Sequence, residues 1–407
     1  MLERVAKLTP VLALVVALVG YLDTHSLHPF FALYAASLGA SVAVVGVIVA
    51  AYSLFEDLFE VPLGYVMDRV GRRKFFLSAG LAIDAASMLL YSLCRTDYQL
   101  LLFRVLHGLG GAFMGPAMMS LMAEIRYPLA GMGSRMGMYG LPIAVAATLG
   151  WVLGGLAVWR VGYTLFFQVF ALVLAAAALL ALLISEPDPP RRGRLSAREV
   201  FSELKLLLTK SSYVAAAYAI LAYTATLGAV VTLLPLRAHE LGLTSMHVGV
   251  ALASFGVSWA AAQAPMGVLS DRIGRKAQLV LGLAVVALSL TALGFASSFP
   301  AMALSMSVYG VGASMIFPSA AALSLESAGA GRRALASGFF HVLYTEGVVL
   351  GAVAFAYAAS RLGNPAGLQL SAAMPASAIL LALVFRWTAT QPPANTGGPN
   401  PSPEMHS

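Results

Sequence analysis

Two stretches of this sequence, GYVMDRVGRRK at residues 64–74 and GVLSDRIGRK at residues 267–276, repeat one pattern in the two halves of the chain. In each stretch a long apolar run ends at an Asp-Arg pair, and a glycine and a basic cluster follow. Glycine lets two helices approach closely, aspartate can meet the positive N-terminus of a helix, and basic side chains lie at lipid headgroups. We call these stretches the first and second elbow, and they predict a duplicated membrane protein.

Composition indicates that the chain is embedded in a membrane. The 407 residues are 59% hydrophobic and 11% charged, with a mean hydropathy of +0.83, whereas soluble domains carry about 25% charged residues. The single cysteine, Cys94, excludes a disulfide framework, and the net charge of +7 lies in short loops, so no nucleic-acid partner is expected. There is no phosphate-binding loop, Cys/His cluster or hydrolase motif, so we expect neither an enzyme, nor an ATP-driven pump, nor a cofactor.

Apolar runs long enough to cross a bilayer, at about 20 residues each, define the architecture. Twelve such runs lie at residues 10–35, 42–67, 74–94, 98–122, 134–158, 163–185, 212–236, 246–270, 277–297, 300–325, 334–359 and 366–387. The predicted fold is an all-α membrane protein with twelve transmembrane helices in two pseudo-symmetric halves of six helices.

The distribution of lysine and arginine predicts the orientation. With the N-terminus inside, twenty of these residues lie on the cytoplasmic side and four on the outer side, while Arg104 remains inside a span. This asymmetry is the positive-inside bias of multi-pass proteins. We therefore expect a protein of the plasma membrane with both termini in the cytoplasm.

A polar, basic segment separates the two halves. In it Ser196 and Glu199 have the spacing of a capping box, which marks the start of a helix. An apolar face follows, formed by Val200, Phe201, Leu204 and Leu208. We expect a short amphipathic helix on the inner membrane surface. The predicted domains are an N-terminal half at 1–185, a linker at 186–211, a C-terminal half at 212–390 and a disordered tail at 391–407.

The two halves are sequence repeats. Shifted by 203 residues, VGV at 45–47 matches VGV at 248–250, and Pro62 and Gly64 match Pro265 and Gly267. With a shift of 202, the fourth span matches the tenth through Gly108 and Gly310, Gly110 and Gly312, Pro116 and Pro318, and Glu124 and Glu326. Duplicated halves around a central site are typical of carriers that work by alternating access.

These motifs resemble those of the major facilitator superfamily. The elbows resemble its loop signature between spans two and three and between spans eight and nine. LLLFRVLHGLGGA at residues 100–112 resembles its fourth-span signature, and GMYGLPIAVAATLGWVLGG at residues 137–155 resembles the fifth-span signature of its antiporters, with Trp151 in place of the usual Pro. The resemblance implies a secondary active transporter whose elbows latch the halves together when the carrier opens outward. The implied latch residues are Gly64, Asp68, Arg69, Arg72, Gly267, Asp271, Arg272 and Arg275.

Ionisable residues at membrane depth are costly to bury and are usually functional. On span two, Asp57 shares an azimuth with Asp68 and lies roughly 16 Å deeper. In the family's fold span two faces span eleven, so we expect Asp57 to approach Glu346. Glu60 and Glu56 point elsewhere on the same helix. The candidate proton-coupling and cavity residues are Asp23, Glu56, Asp57, Glu60, Arg104 and Glu346.

Span one and span four line the cavity in this family, so Asp23 is the expected partner of Arg104, with Glu56 second. Asp84 lies on the peripheral third span and is expected to be structural. Candidate residues of the substrate cavity are His25, His28, His107, His341 and Tyr344. Three-residue spacing of His25 and His28 near Asp23 also permits a metal site, although a hydrogen-bonded cavity histidine is the commoner arrangement, and no metal is assigned.

Taken together, these features predict a secondary transporter that exports a small organic compound, cationic or neutral and amphipathic, in exchange for protons. A proton-coupled importer of a nutrient or metabolite is the alternative. An exporter of divalent metal is a third hypothesis, and a non-transporting receptor is poorly motivated by the buried charges. The expected partners are the small-molecule substrate, protons and the lipid bilayer, and we expect a monomer.

Overall fold

A computed structural model describes residues 2–40, 42–125, 131–186, 197–243 and 245–384. All regular structure in this described part is helical. The helices are α1 (Leu2–Ser37), α2 (Val42–Val70), α3 (Arg73–Tyr91), α4 (Asp97–Glu124), α5 (Met132–Leu182), α6 (Ala197–Leu208), α7 (Ser211–Glu240), α8 (Ser245–Ile273), α9 (Arg275–Phe295), α10 (Phe299–Ala328), α11 (Arg333–Leu362), α12 (Asn364–Ser371) and α13 (Ala373–Val384), with a 3₁₀ turn at Ala330–Arg332.

These helices supply the twelve expected spans. α5 contains two of them, because Gly162 adopts a φ of 75° that breaks the helical path. α12 and α13 together form the last span. By length and apolar composition, ten helical stretches of the described part qualify as membrane spans. The other two are α2, which carries several acids, and the part of α5 that precedes Gly162.

The two halves pack in equivalent ways. In the first half α1 packs on α5, α2 on α4 and α3 on α4. In the second half the same relations join α7 with α11, α8 with α10 and α9 with α10. Two seams connect the halves, one between α2 and α11 and the other between α5 and α8. The fold class predicted from the sequence is confirmed, whereas the domain boundaries and the tail, which lies outside the described residues, stay predictions.

The elbow glycines set how closely the halves approach. A methyl group on Gly64 would lie 2.3 Å from the carbonyl oxygen of Ala334, at the start of α11. A methyl group on Gly267 would lie 2.6 Å from the carbonyl oxygen of Gly133, at the start of α5. Side chains do not fit at these distances, so glycine is required at both seams.

The halves touch at the end of the bundle that carries the elbows, which we call the elbow end. At this end Asp68 is 7% exposed, whereas Glu346, farther along the α2–α11 seam, is exposed. Within the described residues, α1 and α7 are not among the helix pairs that pack together. The conformation is therefore closed at the elbow end.

Candidate functional site

Both elbow aspartates bind the N-terminus of a helix from the other half. The Asp68 carboxylate accepts hydrogen bonds from the backbone N–H groups of Ala334 (3.1 Å) and Leu335 (2.9 Å) in the first turn of α11. The Asp271 carboxylate accepts them from Gly133 (3.0 Å) and Ser134 (2.8 Å) in the first turn of α5, and also from the Ser134 hydroxyl. Unpaired N–H groups and the helix dipole favour an anion there. The contact expected for Asp68 is present, and Asp271 repeats it.

One arginine stands behind each aspartate. Arg73 binds Asp68 (3.4 Å) and Glu124 (2.7 Å), and Arg275 binds Asp271 (2.6 Å) and Glu326 (2.8 Å). The latch residues implied by the sequence include Arg72 and not Arg73, whereas Arg73 is the arginine that contacts Asp68.

The reason is that the first elbow has one residue more between its glycine and the next helix. α9 begins at Arg275 directly after Gly274, whereas α3 begins at Arg73 and Arg72 precedes it with an exposed side chain. Counting from the start of the helix instead of from the glycine would have identified Arg73.

Within the described part of the chain, Arg69 and Arg272 form no ion pair across the seams. Arg69 binds Glu199 of α6 at 2.5 Å, and the Tyr65 hydroxyl donates to the same carboxylate. Arg272 is exposed. The two elbows are thus alike in their aspartates and in one arginine, and they differ in that only the first is tied to the linker helix.

The linker helix α6 binds both halves through one face. Glu199 holds Arg69 of α2, and Glu203 binds Arg332 just before α11. Leu207 continues this face and is fully buried. Phe201 and Leu208, which belong to the apolar face expected from the sequence, are exposed on the other side of α6. Ser196 and the side chain of Val200 lie outside the described residues, and the position of α6 on the membrane surface stays a prediction.

The acids of α2 meet different partners. Asp57 and Glu346 are neighbours across the α2–α11 seam, which is the approach expected from the sequence and the family resemblance. Glu56 turns toward α4 and accepts a hydrogen bond from the Tyr52 hydroxyl at 3.1 Å. The expectation that Glu56 and Asp57 face different partners is therefore confirmed.

Glu60 is 2% exposed and lies between the two halves. A methyl group on Gly115 of α4 would lie 2.6 Å from Oε1 of Glu60. A methyl group on Gly338 of α11 would lie 2.5 Å from the carbonyl oxygen of Glu60. Its Oε2 has no hydrogen-bond partner. Asp57, Glu60 and Glu346 form what we call the acid seam.

Aromatic side chains cross from one half to the other beside the acid seam. The hydroxyl groups of Tyr21 and Tyr139 are hydrogen-bonded, and the Tyr139 hydroxyl contacts Nε2 of His341 at 3.0 Å. Tyr344 lies edge-on to Phe317 with ring centroids 6.2 Å apart. These five side chains, which we call the aromatic bridge, come from α1, α5, α10 and α11, and they include two of the predicted cavity residues.

Arg104 and Asp23 do not pair directly. Nε2 of His107 lies 2.9 Å from Oδ2 of Asp23, and Nδ1 of His107 lies 3.3 Å from the Arg104 guanidinium. The guanidinium stacks between the rings of Phe31 and Tyr52, with centroid distances of 4.2 and 4.6 Å. The expected pair is thus wrong for this conformation, because His107 stands between the two charges and aromatic faces solvate the cation.

Asp84 joins this group, which the sequence analysis did not foresee. Ligand atoms of Asp23, Asp84 and His107 lie within 4.8 Å of one another. A guanidinium only donates hydrogen bonds, so Nδ1 of His107 accepts and Nε2 carries the hydrogen. That hydrogen occupies the direction a metal would need. The internal repeat could have identified Asp84. Gly110 contacts Asp84, and its counterpart in the second half, Gly312, contacts Val286.

The remaining histidines have separate positions. Nδ1 of His25 donates to the carbonyl oxygen of Tyr21 at 2.8 Å, and its backbone and Cβ pack against Gly150 of α5. The side chain of His28 lies outside the described residues. The metal site considered from the spacing of these two histidines therefore has no support in the described part of the chain.

Two six-helix halves joined by two seams, with three acids at one of them, are an architecture typical of membrane carriers. Comparison with known proteins gives the family. The model of the Major Facilitator Superfamily matches residues 13–257 and 216–405. The chain therefore belongs to the Major Facilitator Superfamily and is a membrane-spanning transporter, not an enzyme.

Individual relatives are distant. An uncharacterized MFS-type transporter of Methanocaldococcus jannaschii is 24% identical over 82% of this chain and 87% of its own length. The multidrug resistance protein MdtG of Klebsiella pneumoniae is 28% identical over 66% of each chain, and the quinolone resistance protein NorA of Staphylococcus aureus is 26% identical over 31% and 32%. The solved human organic anion transporter MFSD10 superposes with a TM-score of 0.73 at 19% identity, covering 94% of this chain and 99% of that one, so its fold is shared.

Proposed function

We propose that this transporter exports small cationic or neutral amphipathic compounds in exchange for protons, from a plasma membrane with both termini in the cytoplasm. The positive-inside bias supports the orientation, which makes the elbow end cytoplasmic. Export is supported by two relatives, which are described as a multidrug resistance protein, MdtG, and a quinolone resistance protein, NorA. Three acids beside an aromatic bridge favour cations and amphipathic rings over anions.

The contact between Asp57 and Glu346 carries the proposal. Asp57 and Glu346 are neighbouring acids, and two neighbouring carboxylates repel each other, so a proton on one of them stabilises the pair. These two groups belong to opposite halves, so rocking of the halves separates them. Separation removes the partner and makes this proton exchangeable, which couples proton movement to the conformational change.

The elbows complete the cycle. In the conformation described here both aspartates hold helix N-termini at the cytoplasmic end. In this conformation the substrate leaves to the outside and the acid seam takes up a proton. In the return step the aspartate contacts break and the cytoplasmic end opens. The latch residues assigned by this proposal are Gly64, Asp68, Arg73, Gly267, Asp271 and Arg275.

Transport assays on inverted membrane vesicles test the proposal. With an acid interior, we expect the wild-type protein to accumulate ethidium or a quinolone, and Asp57→Asn or Glu346→Gln to abolish accumulation while equilibrium exchange persists. Asp97→Asn, a change at the exposed start of α4, is the matched control. If both variants still accumulate the compound, the exchanged proton is not held by Asp57 and Glu346. If uptake occurs only in vesicles of the opposite orientation, the protein is an importer.

A further inference from the structure

A second group of buried ionisable residues lies away from the acid seam, inside the first half. Asp23 of α1, Asp84 of α3, and Arg104 and His107 of α4 are each 3% exposed or less. Burying four such groups in a membrane protein is costly, so they need a compensating role in folding or in function.

The second half shows that folding does not require them. Gly110 and Gly312 occupy equivalent places, and a methyl group on Gly110 would meet Oδ1 of Asp84, whereas one on Gly312 would meet Val286. By the same shift, Met306 matches Arg104 and Tyr309 matches His107.

There, the Tyr309 hydroxyl lies 2.8 Å from the hydroxyl of Thr226 on α7, the helix equivalent to α1. The same helix packing is therefore built with neutral side chains in one half and ionisable ones in the other.

Hydrogen bonding shows which group lacks a counter-charge. Nδ1 of His107 faces the Arg104 guanidinium at 3.3 Å and the Tyr91 hydroxyl at 3.1 Å. Because a guanidinium only donates, Nδ1 accepts from it and the Nε2–H donates to Oδ2 of Asp23. Among the described side chains, Asp23 is thereby linked to the cation of this group, Arg104. Oδ1 of Asp84 lies 3.7 Å from the same Nε2 and has no hydrogen-bond partner among the described residues. If Asp84 were ionised, this oxygen would be buried without a donor there, and His107 would stand between it and Arg104.

Other groups facing Asp84 do not supply a positive charge. α2 contributes Tyr52, which is a hydrogen-bond donor to Glu56, and Glu56 is a further acid near Arg104. Three acids therefore share one guanidinium. Like charges at close range disfavour full ionisation, so at least one proton must reside in the group.

We propose that Asp84 binds a proton in the conformation closed at the elbow end, as a second proton site distinct from Asp57 and Glu346. His107 bridges Asp84 to Asp23 and thereby to Arg104. This inference deepens the proposed function and rests on it for the transport consequence, which is that two protons are exchanged in each cycle instead of one.

Infrared difference spectroscopy of the purified protein tests the site without any transport. A protonated carboxylic acid has a carbonyl stretching band that a carboxylate lacks. We expect Asp84→Asn to remove one such band from the wild-type spectrum, and Asp23→Asn to remove carboxylate absorption instead. If Asp84→Asn removes only carboxylate absorption, Asp84 is ionised and the proposal is wrong.

Two further measurements keep the test decisive. Should Asp84→Asn fail to fold, Asp84→Glu retains an acid, and the acid band must shift in frequency; an unshifted band overturns the proposal. In proteoliposomes, the proton-to-ethidium ratio should fall from two to one in Asp84→Asn, and an unchanged ratio excludes Asp84 as a coupling site. If the wild-type protein transports ethidium without moving protons, the proposed function is wrong, while the infrared result on Asp84 still stands.

Discussion

At the scale of single residues, the environment of Arg104 shows how a permanent charge is accommodated at membrane depth. Arg104 is 2% exposed, its guanidinium lies between two aromatic rings, and it donates a hydrogen bond to a ring nitrogen of His107. A planar, weakly hydrated cation suits two ring faces, whereas an ammonium group does not. The role of this residue therefore depends on its shape as well as on its charge.

Replacing Arg104 with Lys should impair both packing and transport. A lysine keeps the charge, loses stacking on Phe31 and Tyr52, and loses the hydrogen bond to His107. Desolvated cation–π contacts contribute about 2 kcal/mol, so we expect a lower melting temperature and transport reduced at least roughly tenfold. Ethidium transport and thermal unfolding measure this, with the exposed Arg95→Lys as control. Wild-type behaviour of Arg104→Lys would show that only the charge matters.

At the scale of elements, α6 acts as a clasp between the halves. Glu199, Glu203 and Leu207 are four residues apart and so lie on one face of the helix. Through this face α6 binds Arg69 in one half and Arg332 in the other. A rigid helix that bridges both halves at the elbow end stabilises the conformation in which that end is closed.

Removing both carboxylates of α6 should weaken the closed conformation. In Glu199→Gln with Glu203→Gln, two ion pairs become neutral contacts, and partly exposed pairs of this kind contribute up to about 1 kcal/mol each. Spin labels at Arg72→Cys and Arg272→Cys, in a Cys94→Ser background, should report a larger fraction of long distances. Lys205→Gln on the exposed side of α6 is the control. An identical distance distribution in the double variant would mean that α6 does not bias the equilibrium.

At the scale of the whole molecule, the two seams are alike in construction and different in chemistry. Each has an elbow glycine, an elbow aspartate and an arginine braced by an acid. Only the α2–α11 seam carries the three acids, whereas the α5–α8 seam carries the buried amide of Gln263. The proposed proton exchange therefore belongs to one seam, and the proposed latch belongs to both.

Neutralising the elbow aspartates should shift the molecule toward the conformation open at the elbow end. Asp68→Asn and Asp271→Asn each weaken charge-assisted bonds to a helix N-terminus, at a cost of roughly 1–2 kcal/mol per site. Because both act on one equilibrium, the double variant should shift it by about the sum of the two. The same spin-label pair measures the populations. Equal populations in wild type and double variant would remove the latch from the mechanism.

Much of this architecture was predictable from the sequence because its causes are local. Runs of apolar residues predict the spans, and the repeated elbows predict the halves. The azimuth along α2, together with the family resemblance that places span two against span eleven, predicts that Asp57 meets Glu346. The residues of α2 lie on one continuous helix, so counting along it gives correct directions for Glu56 and Asp57.

Other features depended on distances between helices, which no spacing along the chain encodes. Only the tertiary structure placed Arg73 instead of Arg72 behind Asp68, because an extra residue changes where α3 begins. It also placed His107 between Asp23 and Arg104, and Asp84 over Gly110, because the close approach of α3 and α4 at small residues decides which buried side chains meet. The sequence by itself thus determined the class of molecule and its membrane-depth acids, and the packing of helices determined how those acids are partnered.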